Sequence, residues 1–154
     1  MKKFKKAPKN LFDKFGKYFP YSTVDVIIRN GKSFLLAKRT IPPYKNKWNF
    51  PGGMIFKTEK LYDAAKRIAK EELNLDVKIE AFLGVYENPI LTRHDISHVF
   101  IASILSGAMK GDFQSSNLQF FKNPPKDMVP FQRKLLGDAR QSLIRRIKNS
   151  KKQN

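Results

Sequence analysis

Apolar residues recur at helical spacing in two parts of the chain, and a third helix is predicted near its end. The clearest pattern covers residues 60–73, whose apolar positions share one stripe of a helical wheel: Leu61, Ala64, Ala65, Ile68 and Ala69. Residues 10–19 show a shorter pattern among lysines, which predicts a basic amphipathic helix. A last helical region is predicted through Ile147, with Asp127 as its cap and Pro130 near its first turn.

Runs rich in β-branched and aromatic residues predict strands between these helices. Tyr21–Arg29 precedes Asn30-Gly31, a dipeptide typical of tight hairpins, and Ser33–Lys38 follows as the returning strand. A short strand is predicted at residues 48–50, and Pro51-Gly52-Gly53 is predicted to end it. Three later strands are predicted: Lys78–Glu87, His98–Leu105 and Leu118–Phe121. Several strands with segregated helices predict an α+β domain.

Length and composition favour one soluble domain. The chain has 154 residues, 41% of them hydrophobic, and contains no Cys, which excludes disulfides, zinc-thiolate sites and a cysteine nucleophile. It has neither an apolar run of the roughly 20 residues that span a bilayer nor a signal-peptide core, so we expect a cytoplasmic protein. We expect a basic amphipathic segment at residues 1–20, a single domain at 21–148 and a basic disordered tail at 149–154.

The charge is concentrated at the two ends of the chain. The formal net charge is +18; residues 1–20 hold seven Lys and one Asp, and residues 131–154 hold eight basic side chains and one Asp. Basic ends attract polyanions such as nucleic acids or anionic lipids, so weak polyanion binding is expected. Solubility explains the same excess without a partner.

The helix at residues 60–73 carries the candidate chemistry. Glu72 falls inside its apolar stripe, one turn after Ile68, and Glu71 lies at the edge of that stripe. A carboxylate in an apolar stripe is costly unless it is paired or binds a metal, and hard oxygen ligands suit Mg²⁺. The alternative is a frayed last turn with both glutamates in water, or an Arg67–Glu71 surface pair.

The segment before this helix makes a metal or phosphate site the favoured interpretation. Gly52-Gly53 lies in the loop that enters the helix, and glycines there let the backbone approach a phosphate or a metal. Gly53, Glu59, Arg67 and Glu71-Glu72 match the spacing of the Nudix box, G-x5-E-x7-R-E-U-x-E-E-x-G-U, where U is aliphatic. The chain therefore resembles the Nudix hydrolases, and the resemblance implies an α/β/α sandwich around a mixed β-sheet.

Two positions of the box differ from the family pattern. Ile68 replaces the glutamate that follows the arginine, and Asn74 replaces a glycine. Asn tolerates the left-handed conformation of a helix end. The missing glutamate leaves Glu71 and Glu72, enough for one metal ion.

One Nudix branch that lacks this glutamate is the GDP-mannose mannosyl hydrolases, which release GDP and mannose by attack at the sugar carbon with one Mg²⁺. The chain resembles that branch at three further segments: Val24-Asp25-Val26, Ala37–Thr40 before Pro43, and Trp48–Gly53. The resemblance implies that Arg39 and Arg67 hold or order the diphosphate, that Glu72, Glu71 and the Gly52 carbonyl bind Mg²⁺, and that Asp25 lines the site. Tyr44 and Trp48 near this loop are expected to bind substrate by stacking on the base, although core packing explains Trp48 equally well.

The water-activating base is the point at which the chain departs from that branch. The branch carries a Gln-His pair in a late loop, whereas this chain has Gln114-Ser115, and Met54 replaces an arginine after the double glycine. Gln114 is kept as a substrate-binding candidate and His98 as the catalytic candidate for the base. The other candidates are His94, Glu87 and Asp95.

Three functions follow from this pattern. The first is a Mg²⁺-dependent nucleotide-sugar hydrolase; the second is an ordinary Nudix pyrophosphohydrolase that cleaves at phosphorus; the third is a non-catalytic module that binds nucleotide or RNA. In each case the partner is a nucleoside diphosphate linked to another group or a related polyanion. A homodimer is expected from the resemblance.

Overall fold

Helices flank both faces of a mixed β-sheet in the computed structural model, which describes residues 4–111 and 115–152. The elements are α1 Lys9–Gly16, β1 Tyr21–Asn30, β2 Ser33–Arg39, β3 Trp48–Asn49, β4 Gly52–Met54, α2 Leu61–Leu73, β5 Asp76–Ile90, β6 Arg93–Ser106, β7 Ser115–Phe121 and α3 Pro130–Ser150. The predicted α+β class and the sandwich around a mixed sheet are confirmed.

Strand β1 lies at the centre of the sheet and changes its partner along its length. The order is β3-β2-β1-β6-β5; β6 runs parallel to β1, and the other pairs are antiparallel. The last residues of β1 pair with β2, whereas Thr23, Val24 and Asp25 pair with Met54, Gly53 and Gly52 of β4. This pairing brings the double glycine beside Asp25.

Each face of the sheet buries its own apolar cluster, because successive side chains of a strand point to opposite faces. On one face, α2 contributes four residues of its predicted stripe to a cluster with Val24, Val26 and Phe100, and the fifth, Leu61, packs against the cluster partly buried. The four residues are Ala64, Ala65, Ile68 and Ala69. On the other face, Leu135, Leu136 and Ala139 of α3 pack against Ile27, Phe50 and Ile101. The sequence pattern of α2 is therefore explained by burial of one side.

Several element bounds differ from the prediction. Residues 52–54 form a strand rather than a break, because the two glycines and Met54 pair with β1. In the hairpin, Asn30 pairs with Ser33, so the two turn residues are Gly31, with φ +58°, and Lys32. α3 has Val129 at its N-cap and no side-chain cap, so the predicted capping by Asp127 is wrong.

Both ends of the described chain contain helices. α1 occupies Lys9–Gly16 inside the predicted basic segment, and α3 continues to Ser150, so residues 149 and 150 of the expected disordered tail are helical. The division at residue 21 stays a prediction. Within the described residues, no helix is long and apolar enough to cross a membrane.

Candidate active site

A cavity of about 570 Å³ opens where the double glycine, α2 and the start of β6 meet. Its lining includes most of the residues that the sequence singled out: Asp25, Arg39, Tyr44, Gly52, Gly53, Arg67, Glu71, Glu72 and Asp95. These residues come from β1, β2, β4, α2, β6 and the loop after β2. The fold therefore brings together side chains that are up to 70 positions apart in the chain.

Arg67 organises the loop between β4 and α2. Its Nε lies 2.6 Å and its Nη2 2.9 Å from the two carboxylate oxygens of Glu59, and Nη2 also donates to the Met54 carbonyl at 2.8 Å. Glu59 is fully buried and accepts the Phe56 amide, while the Arg67 guanidinium lies 4.3 Å from the Phe56 ring centroid. The pair closes the loop against α2.

The ionisation of Glu59 reflects two opposing effects. Burial by itself would raise the pKa of Glu59, but the hydrogen bonds from Arg67 and from the Phe56 amide outweigh it and hold that pKa below its ordinary value. Glu59 and Arg67 are thus a permanently charged pair at neutral pH. Their first role is to order the loop that carries the double glycine.

Glu71 and Glu72 lie one turn after Ile68 at the cavity end of α2. Glu71 accepts Arg67 Nη1 at 3.2 Å and keeps 43% of its side chain exposed. A Cβ added to Gly53 would lie 3.5 Å from Ile68 and 3.8 Å from Glu72 Oε1, so the Glu72 carboxylate lies against the double glycine. Neither glutamate is in a frayed turn, because α2 continues to Leu73 and ends on Asn74 with φ +57°.

This donor set fits a single hard cation. The part of the chain that the structure describes holds no cluster of three or more His, Cys, Asp or Glu able to bind a metal. Ile68, 1% exposed, packs in the core where the family has its additional glutamate. Mg²⁺ commonly binds through one or two carboxylates and keeps several waters, so two glutamates beside the backbone of the double glycine are compatible with one Mg²⁺.

Asp25 is a carboxylate of the cavity wall whose two oxygens both have side-chain partners. Ser97 Oγ donates to its Oδ2 at 2.5 Å, and Gln132 Nε2 lies 3.2 Å from its Oδ1. Burial raises the pKa of Asp25 to about 6, because desolvation outweighs the Ser97 hydrogen bond and the nearby arginines. A Cβ at Gly52 would overlap Oδ1 of Asp25, which requires a glycine at that position.

Arg39 is fixed by the backbone of the following loop. Its Nε donates to the Pro43 carbonyl at 2.7 Å, and its Nη2 lies 3.5 Å from the Pro42 carbonyl. Burial, followed by the proximity of Arg93, lowers the pKa of Arg39, although Glu72 and Asp25 act in the opposite direction. Arg39 is therefore a positioned cation at the cavity wall.

The histidines expected near the site lie elsewhere. His98 does not line the cavity, and its Nδ1 lies 3.1 Å from the Thr23 carbonyl on the α2 face of the sheet. His94 also lies outside the lining; its Nε2 is buried and has no hydrogen-bond partner among the described residues. Alternation along β6 explains both positions, because Asp95 and Ser97 occupy the face that opens to the cavity.

Some of the remaining candidate residues line the cavity and others do not. Asp95 lines the cavity and accepts Arg93 Nε at 2.7 and 2.9 Å, whereas Glu87 is not among the lining residues. Gln114 lies outside the described residues. Tyr44 lines the cavity in a left-handed conformation, with φ +65°.

Sequence reasoning missed two residues that hold the site together. Gln132, in the first turn of α3, accepts the Phe50 amide at 2.6 Å and contacts Asp25 through its other amide atom. Ser97 lies on the cavity face of β6 and is 1% exposed. The alternation of Ser97 with Val99 and Ile101 could have predicted that Ser97 faces the inside of the sheet. No local signal indicates a role for Gln132.

Comparisons with known proteins agree with this geometry. Residues 20–145 match the NUDIX domain family model. The chain is 34% identical over 120 residues to the low-salt glycan biosynthesis protein Agl8 of Haloferax volcanii, covering 73% of this chain and 77% of that protein. It is 36% identical over 111 residues to an ADP-ribose pyrophosphatase of Methanocaldococcus jannaschii, covering 70% and 66% of the two chains.

A solved structure shares the same fold. The crystal structure of a MutT NUDIX hydrolase from Burkholderia pseudomallei superposes with a TM-score of 0.73 at 23% identity, covering 78% of this chain and 98% of that one. At this identity the likeness concerns the fold alone.

Proposed function

Since the chain belongs to the Nudix hydrolase family, we propose that it hydrolyses a nucleotide sugar with one Mg²⁺ and attacks the sugar carbon, as GDP-mannose mannosyl hydrolases do. The family as a whole acts on nucleoside diphosphates linked to another group, with a divalent metal. The finer proposal is carried by one observation: Ile68, buried in the core, occupies the box position of the additional glutamate. Two carboxylates remain on α2, which favours one metal over a cluster.

The substrate class is supported by the cavity and by one relative. The cavity combines a positioned Arg39, the double glycine and two glutamates, which suits a diphosphate bound with a metal ion. The name of the Haloferax volcanii relative refers to glycan biosynthesis. GDP-mannose is the donor that the sequence resemblance favours.

The proposed cation site consists of Glu72, Glu71 and the Gly52 carbonyl. A bound Mg²⁺ would supply electrostatic stabilisation of the charge that develops on the leaving diphosphate. Arg39 adds a fixed positive charge at the cavity wall, and Arg67 acts by ordering the loop through Glu59. Tyr44 lines the same cavity, and we propose that it stacks on the base.

We assign water activation to Asp95, with Asp25 as the carboxylate that joins Ser97 and Gln132 at the cavity wall. Of the four candidates for the base, Asp95 lines the cavity and His98, His94 and Glu87 do not. Asp95 accepts a proton from water as the water oxygen bonds to the sugar carbon; the bond from that carbon to the phosphate oxygen breaks, and its electron pair leaves with the nucleoside diphosphate. The Asp95→Asn variant should then lose turnover with little change in substrate affinity.

A second candidate function is favoured by the other relative. The Methanocaldococcus jannaschii protein is named an ADP-ribose pyrophosphatase, so cleavage at phosphorus is the alternative reaction. It would place oxygen from water in the phosphate product and would yield nucleoside monophosphates.

The deciding experiment incubates the protein with GDP-mannose, GDP-glucose, UDP-glucose, ADP-ribose and GTP in H₂¹⁸O, with Mg²⁺ or with EDTA, and identifies the products by mass. Nucleoside diphosphate plus ¹⁸O-labelled sugar supports the proposal. Labelled phosphate overturns it in favour of the pyrophosphohydrolase. Absence of turnover on all five compounds overturns it in favour of a binding module.

A further inference from the structure

The N-terminal segment lines the cavity, although it lies far before the Nudix box in the sequence. Lys5, Lys6, Ala7 and Phe12 line the same cavity as Arg39 and Glu72. We call residues 4–12 the roof of the cavity. The roof lies outside the matched family region, which starts at residue 20.

Aromatic contacts hold the roof at both ends. The Phe4 ring stacks on Phe56 with centroids 5.6 Å apart and an interplanar angle of 20°, and Phe56 in turn lies against the Arg67 guanidinium. At the other end, Phe12 stacks on Tyr21 at 4.4 Å and 15°, and the Tyr21 hydroxyl donates to the Phe12 carbonyl at 2.8 Å. The two lysines lie between these anchors.

Gly16 is a structural requirement of the second anchor. A Cβ at residue 16 would overlap the Tyr21 hydroxyl and ring. The glycine therefore lets α1 lie directly against the start of β1, which orients the chain from Phe12 back toward the cavity.

The roof brings cations that are not neutralised by nearby acids. Among the other cavity cations, Arg67 is paired with Glu59 and Arg93 with Asp95, whereas Arg39 donates to backbone carbonyls. Lys57 also lines the cavity and makes no ion pair with a described residue. Within residues 4–111 and 115–152, neither Lys5 nor Lys6 makes an ion pair. Two ammonium groups on the border of an anion-binding cavity suit a ligand with two or more negative charges, because each can donate to a phosphate oxygen.

We propose that Lys5 and Lys6 form a phosphate-binding part of the substrate site, held over the cavity by the stacking of Phe4 and Phe12. The inference rests on the proposed function for the identity of the substrate, but its chemistry requires only a diphosphate. The cavity volume of about 570 Å³ admits a small phosphorylated molecule. Nucleic acid bound along the outside of the basic segment would not require Lys5 and Lys6 in particular.

The test measures binding of inorganic pyrophosphate to the full chain by isothermal titration calorimetry in buffer with Mg²⁺. The Lys5→Gln/Lys6→Gln variant should bind about tenfold more weakly than the wild type, because two charge-assisted contacts are lost. The matched control is Lys14→Gln/Lys17→Gln, which removes the same charge from the same segment outside the cavity lining. This control should bind within about twofold of the wild type.

Three results would overturn the inference. They are an unchanged Kd in the Lys5/Lys6 variant, an equal loss in the Lys14/Lys17 control, and no binding of pyrophosphate by the wild type. Failure of the proposed function gives a different result: binding of pyrophosphate depends on Lys5 and Lys6, but no nucleotide sugar is hydrolysed.

Discussion

The floor and the roof of the cavity are built in different ways. We call the loop from Gly52 to Glu59 together with the inner face of α2 the floor. In the floor, Glu59 is fully buried and Arg67 is 9% exposed, and each makes several hydrogen bonds. In the roof, none of residues 4–12 is buried. The helix α1, which continues from the roof to Gly16, also has no buried residue and rests on Tyr21 through the rings of Phe12 and Phe15.

This difference separates two kinds of contribution to function. A buried, hydrogen-bonded floor keeps the metal-binding and charge-stabilising groups in fixed positions, as a catalytic arrangement requires. A segment with few buried contacts opens at low free-energy cost, so it can admit a substrate and still contribute binding groups. Substitutions in the floor should therefore reduce turnover or folding stability, and substitutions in the roof should mainly raise KM.

The largest effect is expected from Glu72→Gln in the floor. Turnover should fall on the order of a thousandfold, because a metal ligand is lost and the metal supplies several kcal/mol of transition-state stabilisation. Initial rates with Mg²⁺ measure this on the substrate identified by mass. The control Asp63→Asn makes the same chemical change at an exposed position of the same helix and should keep its rate. Full activity of the Glu72 variant would remove that residue from the site.

The Glu59→Gln substitution should destabilise the fold by about 3 kcal/mol, because it leaves the Arg67 charge in a poorly solvated place without its carboxylate. Urea denaturation gives the free energy of unfolding. The control Lys9→Gln breaks the exposed Lys9–Asp13 pair and should change the free energy of unfolding by less than about 0.5 kcal/mol. Equal effects of the two substitutions would contradict the contrast between floor and roof.

The same pair predicts a pH dependence. The pKa of Glu59 is held below its ordinary value of 4.5 by Arg67 and the Phe56 amide. Its contribution to stability is therefore complete above about pH 4.5 and is lost as the pH falls through the lower pKa of the folded state. Unfolding free energies measured from pH 7 to pH 3 should show the wild type and Glu59→Gln converging at the acid end. A constant difference across this range would exclude Glu59 ionisation as the cause.

Restoring the box glutamate with Ile68→Glu should cost about 2 kcal/mol without metal, because a polar group replaces a side chain that is 1% exposed. If the new carboxylate reaches the cation site, Mg²⁺ should raise the melting temperature of the variant more than that of the wild type. Ile68→Gln is the matched control without the charge, and an equal Mg²⁺ response of all three proteins would show that residue 68 does not reach the metal.

The smallest effect is expected from Phe12→Ala in the roof. Loss of one stacked ring should lower the unfolding free energy by about 1 kcal/mol or less and raise KM several-fold, with kcat nearly unchanged. Tyr18→Ala removes an exposed ring of the N-terminal segment outside the roof and should leave KM and kcat unaltered. A fall in kcat without a rise in KM would show that the roof acts on the chemical step rather than on binding.

Local sequence patterns were enough to predict the class of the fold and most of the floor. The apolar stripe of α2 and the spacing from Gly53 to Glu72 are local patterns, and helical periodicity turns such patterns directly into one buried face and one set of cavity-facing side chains. The positive φ of Asn74 follows from the same local chemistry. These features need no knowledge of distant segments.

The distant residues that complete the site could not be predicted from local patterns. Asp25 meets Ser97 and Gln132, which are 72 and 107 positions away, and the alternation of β6 sends Asp95 to the cavity and His98 to the opposite face. The double glycine pairs as a strand because β1 leaves that edge open to it. Strand register and helix docking set these contacts, and both depend on packing of the whole chain rather than on the local pattern of residues.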